Sequence, residues 1–201
     1  MQSLQSDAMQ PLIHFSLMSG IITKKVEMTR LLKNDAFVPV TLCKFPETIV
    51  IQVKNIQKDG YEAVVLKSTF GKQEFIREVP ATGAMENISV GTVVTLDMLD
   101  GVATVSLVGI SKGKGFAGAM KRHNFSGGPG GHGSKFHRAL GSIGTRKPRR
   151  TKPGRRMHGH MGTDTITLKD VPVELINKDL GIIAVRGPVP GARNSLVVFN
   201  F

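Results

Sequence analysis

Along its hydrophobic and polar positions, the 201-residue chain changes texture three times. Residues 1–17 mix polar and apolar side chains without a period and read as a flexible N-terminal extension, in which Met9 and Met18 are both candidate starts. From Ile21 onward the pattern becomes one of short runs with period two. Residues 38–45 alternate Val38, Val40 and Leu42 against Pro39, Thr41 and Cys43, as a half-buried strand should. Residues 48–54 and 61–67 are further strand runs, the second following the turn pair Asp59-Gly60. Residues 92–99 and 102–110 flank Asp100-Gly101 and read as a hairpin, whereas 72–90 is weaker and reads as a helical or irregular insertion. After a long break, strand texture returns at 165–168, 171–176, 181–186 and 195–199, with turns at 177–181 and 187–191. Many short strands at even spacing predict a mainly β fold, a small barrel or sandwich. Because strand runs bracket the break, the simplest topology is one β-domain, 18–110 and 163–201, interrupted by residues 111–162. Structureless loops beyond about 12–15 residues are uncommon in compact domains. This one should therefore leave the domain.

Composition supports that reading. Aromatic residues make up only 5%, with no Trp and a single Tyr61, so apolar bulk comes from Val, Ile and Leu, which favour strands. The lone Cys43 excludes an internal disulfide and a Cys-based zinc site; a small buried hydrophobe is its expected role. No apolar run approaches the ~20 residues of a membrane span. The first residues lack the basic and apolar regions of a secretory signal. A reduced, cytoplasmic protein with no membrane partner is the expectation.

Charge changes the picture most. Residues 111–162 contain no Asp or Glu but thirteen cations: Lys112, Lys114, Lys121, Arg122, Lys135, Arg138, Arg146, Lys147, Arg149, Arg150, Lys152, Arg155 and Arg156. The remainder carries 14 basic and 15 acidic residues, so the net charge of +12 resides in one internal segment. Such a field attracts a polyanion, and its own cations repel one another until a partner neutralises them. The segment also holds 13 of the 23 glycines and five of the six histidines. It has too little apolar surface to offset the entropy of its ordering, so it should take its shape from what it binds.

Competing chemistries fail on their partners. Gly113-Lys-Gly-Phe-Ala-Gly118 matches the dinucleotide-binding spacing, but no acidic residue that could hold a ribose occurs before Asp164. The pairs His132 with His137 and His158 with His160 invite a metal, yet the segment has no carboxylate or thiol and its cations would repel a dication. Ser126, Ser134 and Ser142 lie near histidines without a local orienting carboxylate, so no catalytic residue is assigned. The expectation is no enzyme, metal, cofactor or small-molecule substrate. Cations interleaved with Phe116, Phe125 and Phe136 instead suit RNA. Guanidinium groups bind phosphate bidentately and stack on bases, and aromatic rings offer stacking planes.

The order and spacing of several motifs carry a resemblance. Ser111-Lys-Gly-Lys-Gly-Phe-Ala-Gly118, Lys121-Arg-His-Asn-Phe125, His132-Gly-Ser134, His137-Arg138, Gly141-Ser-Ile-Gly144, Gly159-His-Met-Gly162 and Val185-Arg-Gly-Pro-Val-Pro-Gly191 follow one another as in the large-subunit ribosomal protein L3 family, bacterial type. Residues 20–30, which include Lys24, Lys25 and Arg30, resemble that family's opening segment. The resemblance implies a translation-factor-like β-barrel at the subunit surface. It also implies an extended loop that penetrates large-subunit rRNA toward the peptidyl-transferase centre, help in nucleating subunit assembly, and contacts with neighbouring ribosomal proteins. The expected RNA contacts are the thirteen cations with His123, Asn124, Phe125, His132, His137 and Ser142, joined by Lys24, Lys25 and Arg30. Thr23 and Glu27 stand where the family commonly has glycine, Leu140 replaces a frequent proline, and residues 145–150 are unusually basic and contain no Gln.

Overall fold

A computed structural model describes residues 19–81 and 88–201. The expected N-terminal extension, 1–17, lies outside them, as do residues 82–87 of the expected insertion. Contacts divide the chain into two compact units, residues 1–109 with 166–201 and residues 110–165.

The chain runs through β1 (Gly20–Lys33), β2 (Ala36–Lys44), β3 (Glu47–Lys54), α1 (Ile56–Asp59), β4 (Ala63–Phe70), β5 (Gln73–Pro80), β6 (Val93–Val94) and β7 (Thr104–Ile110). In the second unit follow β8 (Phe116–Ala117), α2 (Ala119–His123) and β9 (Gly159–His160). The chain ends with β10 (Thr165–Asn177), β11 (Ile182–Arg186) and β12 (Leu196–Asn200). The fold is mainly β, as the period-two runs predict.

In the first unit, hydrogen-bonded neighbours follow the closed order β1-β12-β7-β10-β11-β2. Strand β1 makes closure possible by changing partners along its length. Gly20 to Lys24 pair with Asn200 to Leu196, while Lys24 to Lys33 pair with β2, across a register shift between Lys25 and Glu27. A bulge of this kind bends the strand and increases its twist. Asn34 and Asp35 then close the β1–β2 hairpin with φ of 49° and 58°, the left-handed values of a tight two-residue turn. A second sheet, β5-β4-β3-β6, contributes to the same core. Ile21, Ile22, Leu66, Leu99, Leu107, Ile183 and Phe199 are its largest fully buried side chains. Burial of each such side chain is worth about 1.5–3 kcal/mol. Buried hydroxyls are satisfied: Thr23 donates to the Val197 carbonyl at 3.0 Å, and Thr48 and Ser68 bond each other at 3.0 Å.

Three expectations about local structure need correction. The 92–99 run is not one strand. Val93–Val94 forms β6, and Leu96–Leu99 turns as a 3-10 helix that buries Leu96 and Leu99, which the three-residue turn stacks on one side. The Asp100-Gly101 pair does not close a hairpin, because β6 pairs with β3 and β7 with β12. Residues 73–80, expected to be helical or irregular, form the edge strand β5. Only Val79 of β5 is buried, so its charged exposed positions hid the alternation. Cys43 matches its expected role. It is fully buried, and desolvation pushes its thiol up to about 12 against the opposing pull of a Thr23 hydrogen bond and the Lys25 charge.

Candidate nucleic-acid interface

The second unit is held mainly by its backbone. Ser111 N–H donates to Asp164 O at 2.9 Å, Lys114 N–H to Met161 O at 2.9 Å, and Met161 N–H to Gly115 O at 2.9 Å. β8 and β9 continue this ladder, with Phe116 opposite His160 and Ala117 opposite Gly159. Among the described residues of the unit, only Ala117, Ala119 and Gly162 are buried. Glycine provides the close approaches that a side-chain core provides elsewhere. Gly162 has φ +83° and packs so tightly that an added Cβ would lie 2.2 Å from the Lys112 carbonyl oxygen. A Cβ on Gly128 would lie 2.1 Å from Phe136 O, where Gly128 N–H already donates to His137 O at 2.9 Å. At these positions the chain approaches itself.

Charged groups cover this frame. All thirteen cations of residues 111–162 are exposed, and none of the six ion pairs among the described residues involves them. Two are used internally. Arg122 Nη1 donates to Met157 O at 2.9 Å, and Arg155 donates to the Ser142 carbonyl. His123 Nε2 lies 3.0 Å from the same Met157 carbonyl, so its ring donates there, and its face stands 6.2 Å from Phe125. Asn124 adopts φ 59° and caps α2 through its N–H to Met120 O. His137 Nδ1 meets Pro129 O at 2.9 Å, Ser142 Oγ donates to Gly144 O at 2.9 Å, and His132 holds φ 57° on the exposed surface.

The remaining eleven cations are Lys112, Lys114, Lys121, Lys135, Arg138, Arg146, Lys147, Arg149, Arg150, Lys152 and Arg156; no side-chain bond among the described residues occupies them. Arg149 and Arg150 line a cleft of about 420 Å³ with Ser142, Ile143, Gly144, Thr145 and Thr151. Unneutralised cations on a surface without carboxylates present donors to an anionic backbone. Among the described residues, no three His, Cys, Asp or Glu side chains gather to hold a metal, and no helix is long and apolar enough to cross a membrane.

The candidates from the opening segment behave differently. Lys25 Nζ donates to Val189 O at 2.7 Å and Gly191 O at 3.1 Å, so it ties β1 to the 187–191 turn. Lys24 Nζ stands 5.4 Å from the Phe70 ring centroid, and the Arg30 guanidinium 4.5 Å over Phe37. Two rings absent from the named contacts are Phe116, read from the sequence as an aromatic interleaved with the cations, and His158. Phe116 is 76% exposed and its ring lies 5.4 Å from that of His158, which presents an aromatic pair beside the cations. The signal was available in Phe116, an aromatic residue inside the glycine-lysine run.

Residues 81–180 match the family model described as Ribosomal protein L3. A large ribosomal subunit protein uL3 of Borreliella afzelii is 39% identical over 90% of this chain and 97% of its own length. The uL3 of Fervidobacterium nodosum is 37% identical over 91% of this chain and 98% of its own, and that of Solibacter usitatus 39% over 89% and 96%. At that identity and coverage, the chain belongs to the ribosomal protein L3 family, bacterial type, whose members are structural components of the ribosome rather than enzymes.

Proposed function

We propose that the protein is a structural constituent of the large ribosomal subunit in the cytoplasm, and that residues 111–162 bind large-subunit rRNA. On this reading a translation-factor-like barrel, residues 18–110 and 163–201, supplies the fold and the contacts with neighbouring ribosomal proteins. The basic loop extends toward the peptidyl-transferase centre, and its binding helps nucleate subunit assembly. The observation that carries the proposal is the set of eleven exposed cations without an internal partner, mounted on a backbone-bonded frame that lacks any carboxylate between residues 111 and 162. Most of these cations position the chain on phosphates rather than read bases. Phe116, Phe125, Phe136, His123, His132 and His137 supply stacking planes and donors for bases and sugars. Arg122, Arg155 and Lys25 also shape the protein, since one donor of each arginine and the Lys25 ammonium meet carbonyls.

Competition tests the reading. Large-subunit rRNA fragments should displace the labelled complex at moderate salt far better than random duplex DNA of equal phosphate content. Each engaged phosphate should steepen log K against log salt by about 0.7 to 0.9. Equal competition by DNA would reduce the loop to a general polyanion binder.

A further inference from the structure

The four-stranded sheet has two unlike faces, and the cross-strand register sorts them. Thr48, Val50, Leu66, Ser68, Val64, Val79 and Val94 are buried against the core. On the opposite face one row crosses all four strands: Val93 pairs with Ile49, Ile49 with Lys67, and Lys67 with Ile76. Directly paired residues share a face of a sheet. Val93 and Ile76 are each 59% exposed and Ile49 38%, so three β-branched side chains stand in line on the surface.

Ion pairs fix the cations that flank the row. Lys67 meets Glu74 at 2.8 Å, and Lys54 meets Glu78 at 2.6 Å, which consumes both lysines of this face. Glu47, paired with Thr69 in the neighbouring row, has no such partner. On this face Glu47, Glu74 and Glu78 stand against Lys54 and Lys67, an excess of one carboxylate. A face with an apolar centre, paired lysines and one carboxylate in excess offers phosphate no free cation and suits a protein that brings apolar side chains ringed by cations.

We propose that the exposed face of the β5-β4-β3-β6 sheet is a docking surface for a basic protein of the same assembly, with Ile49, Ile76 and Val93 at its centre. This rests on the ribosomal reading above, which gives the chain neighbours, but it names where one of them binds and by what chemistry. The sheet would then divide labour with residues 111–162: apolar with its lysines paired toward protein, carboxylate-free and basic toward RNA.

Side-chain oxidation footprinting of the full chain tests it in three states: free, bound to protein-free large-subunit rRNA, and in the complete large subunit. Oxidation of Ile49, Ile76 and Val93 should be unchanged by rRNA alone and fall several-fold in the complete subunit. Protection by rRNA alone would make the face an RNA contact, and unchanged oxidation in the complete subunit would make it a solvent face; either overturns the proposal. If the chain does not enter subunits at all, the ribosomal reading fails and this inference with it. A photocrosslinker on an Ile76→Cys variant, read in assembled subunits, should join the chain to a basic protein. A crosslink to rRNA or to an acidic protein would contradict the assignment.

Discussion

The two units solve opposite problems. In the first, buried side chains such as Phe199, Ile21 and Leu107 from strands far apart in sequence share one core, and polar groups inside it are paired. In the second, the chain is held with almost nothing buried, by backbone hydrogen bonds and by glycines that let carbonyls approach within contact distance. A side-chain core stabilises a shape in water. A backbone-bonded frame leaves its side chains free for a partner, which then supplies the stabilisation that a core would have given.

The contrast breaks most sharply in the core. Phe199 is fully buried in the C-terminal strand β12, and Phe199→Ala should cost about 3–5 kcal/mol of unfolding free energy. Denaturant unfolding checks this, and a loss well below that range would mean that β12 is not integral to the core. Next in size is the effect on binding of replacing Arg146, Lys147, Arg149 and Arg150 together by alanine. None of the four has an internal side-chain bond, so stability should not change. The log–log salt dependence of rRNA binding should flatten by about three units if each contacts one phosphate. A fall in melting temperature would show that these cations belong to the fold, and an unchanged slope that they do not meet phosphate.

A glycine distinguishes frame from charge. Gly162→Ala adds a Cβ against the Lys112 carbonyl and places a non-glycine residue at φ +83°, a left-handed conformation that costs about 1–2 kcal/mol before the clash is counted. The expected result is weaker rRNA binding with an unchanged salt slope, because the number of cations is the same. Gly130→Ala, whose Cβ would meet nothing within 4 Å, should bind normally. Equal loss in both variants would count against a frame built on particular close approaches.

What the sequence made legible follows the same division. Period-two runs located β2, β3, β4, β7, β10, β11 and β12, because burial of one face or both leaves a repeating mark. They did not locate β5, whose edge position leaves one buried side chain, and they misread residues 96–99, because Val94, Leu96 and Met98 keep an apolar period of two while the 3-10 turn buries Leu96 and Leu99. Pairing across the chain, such as Gly20 with Asn200, leaves no local mark, so the true partners of β6 and β7 overrode the Asp100-Gly101 signal. For the second unit, composition showed where the charge lies but not which cations also bond within the protein. Arg122, Arg155 and Lys25 look like their neighbours in sequence, and only the carbonyls they meet in three dimensions set them apart.

The smallest expected effect concerns the first unit's own charges, which are paired where those of the second are not. Lys178 donates to Asp97 at 2.6 Å and Asp100 at 2.5 Å, linking the β10–β11 turn to the 3-10 turn. Hydrogen bonds from Lys178 and then Thr95 hold the Asp97 carboxyl below its ordinary value of 3.8, while those two carboxylates raise Lys178 above 10.5. A carboxyl depressed by folding contributes stability that is present above pH 3.8 and is lost as pH falls through the folded value. The raised ammonium contributes stability that is complete below pH 10.5 and is lost as pH rises through its folded value. Lys178→Met should therefore lower the melting temperature slightly between those limits and converge with the parent protein at both extremes. The side chains are about half exposed, so water and salt screen the pair and the shift should shrink further at high ionic strength. Melting curves across pH at two salt concentrations check this; a deficit that persists unchanged at acid and alkaline extremes would assign the loss to packing of the lysine stem rather than to its charge.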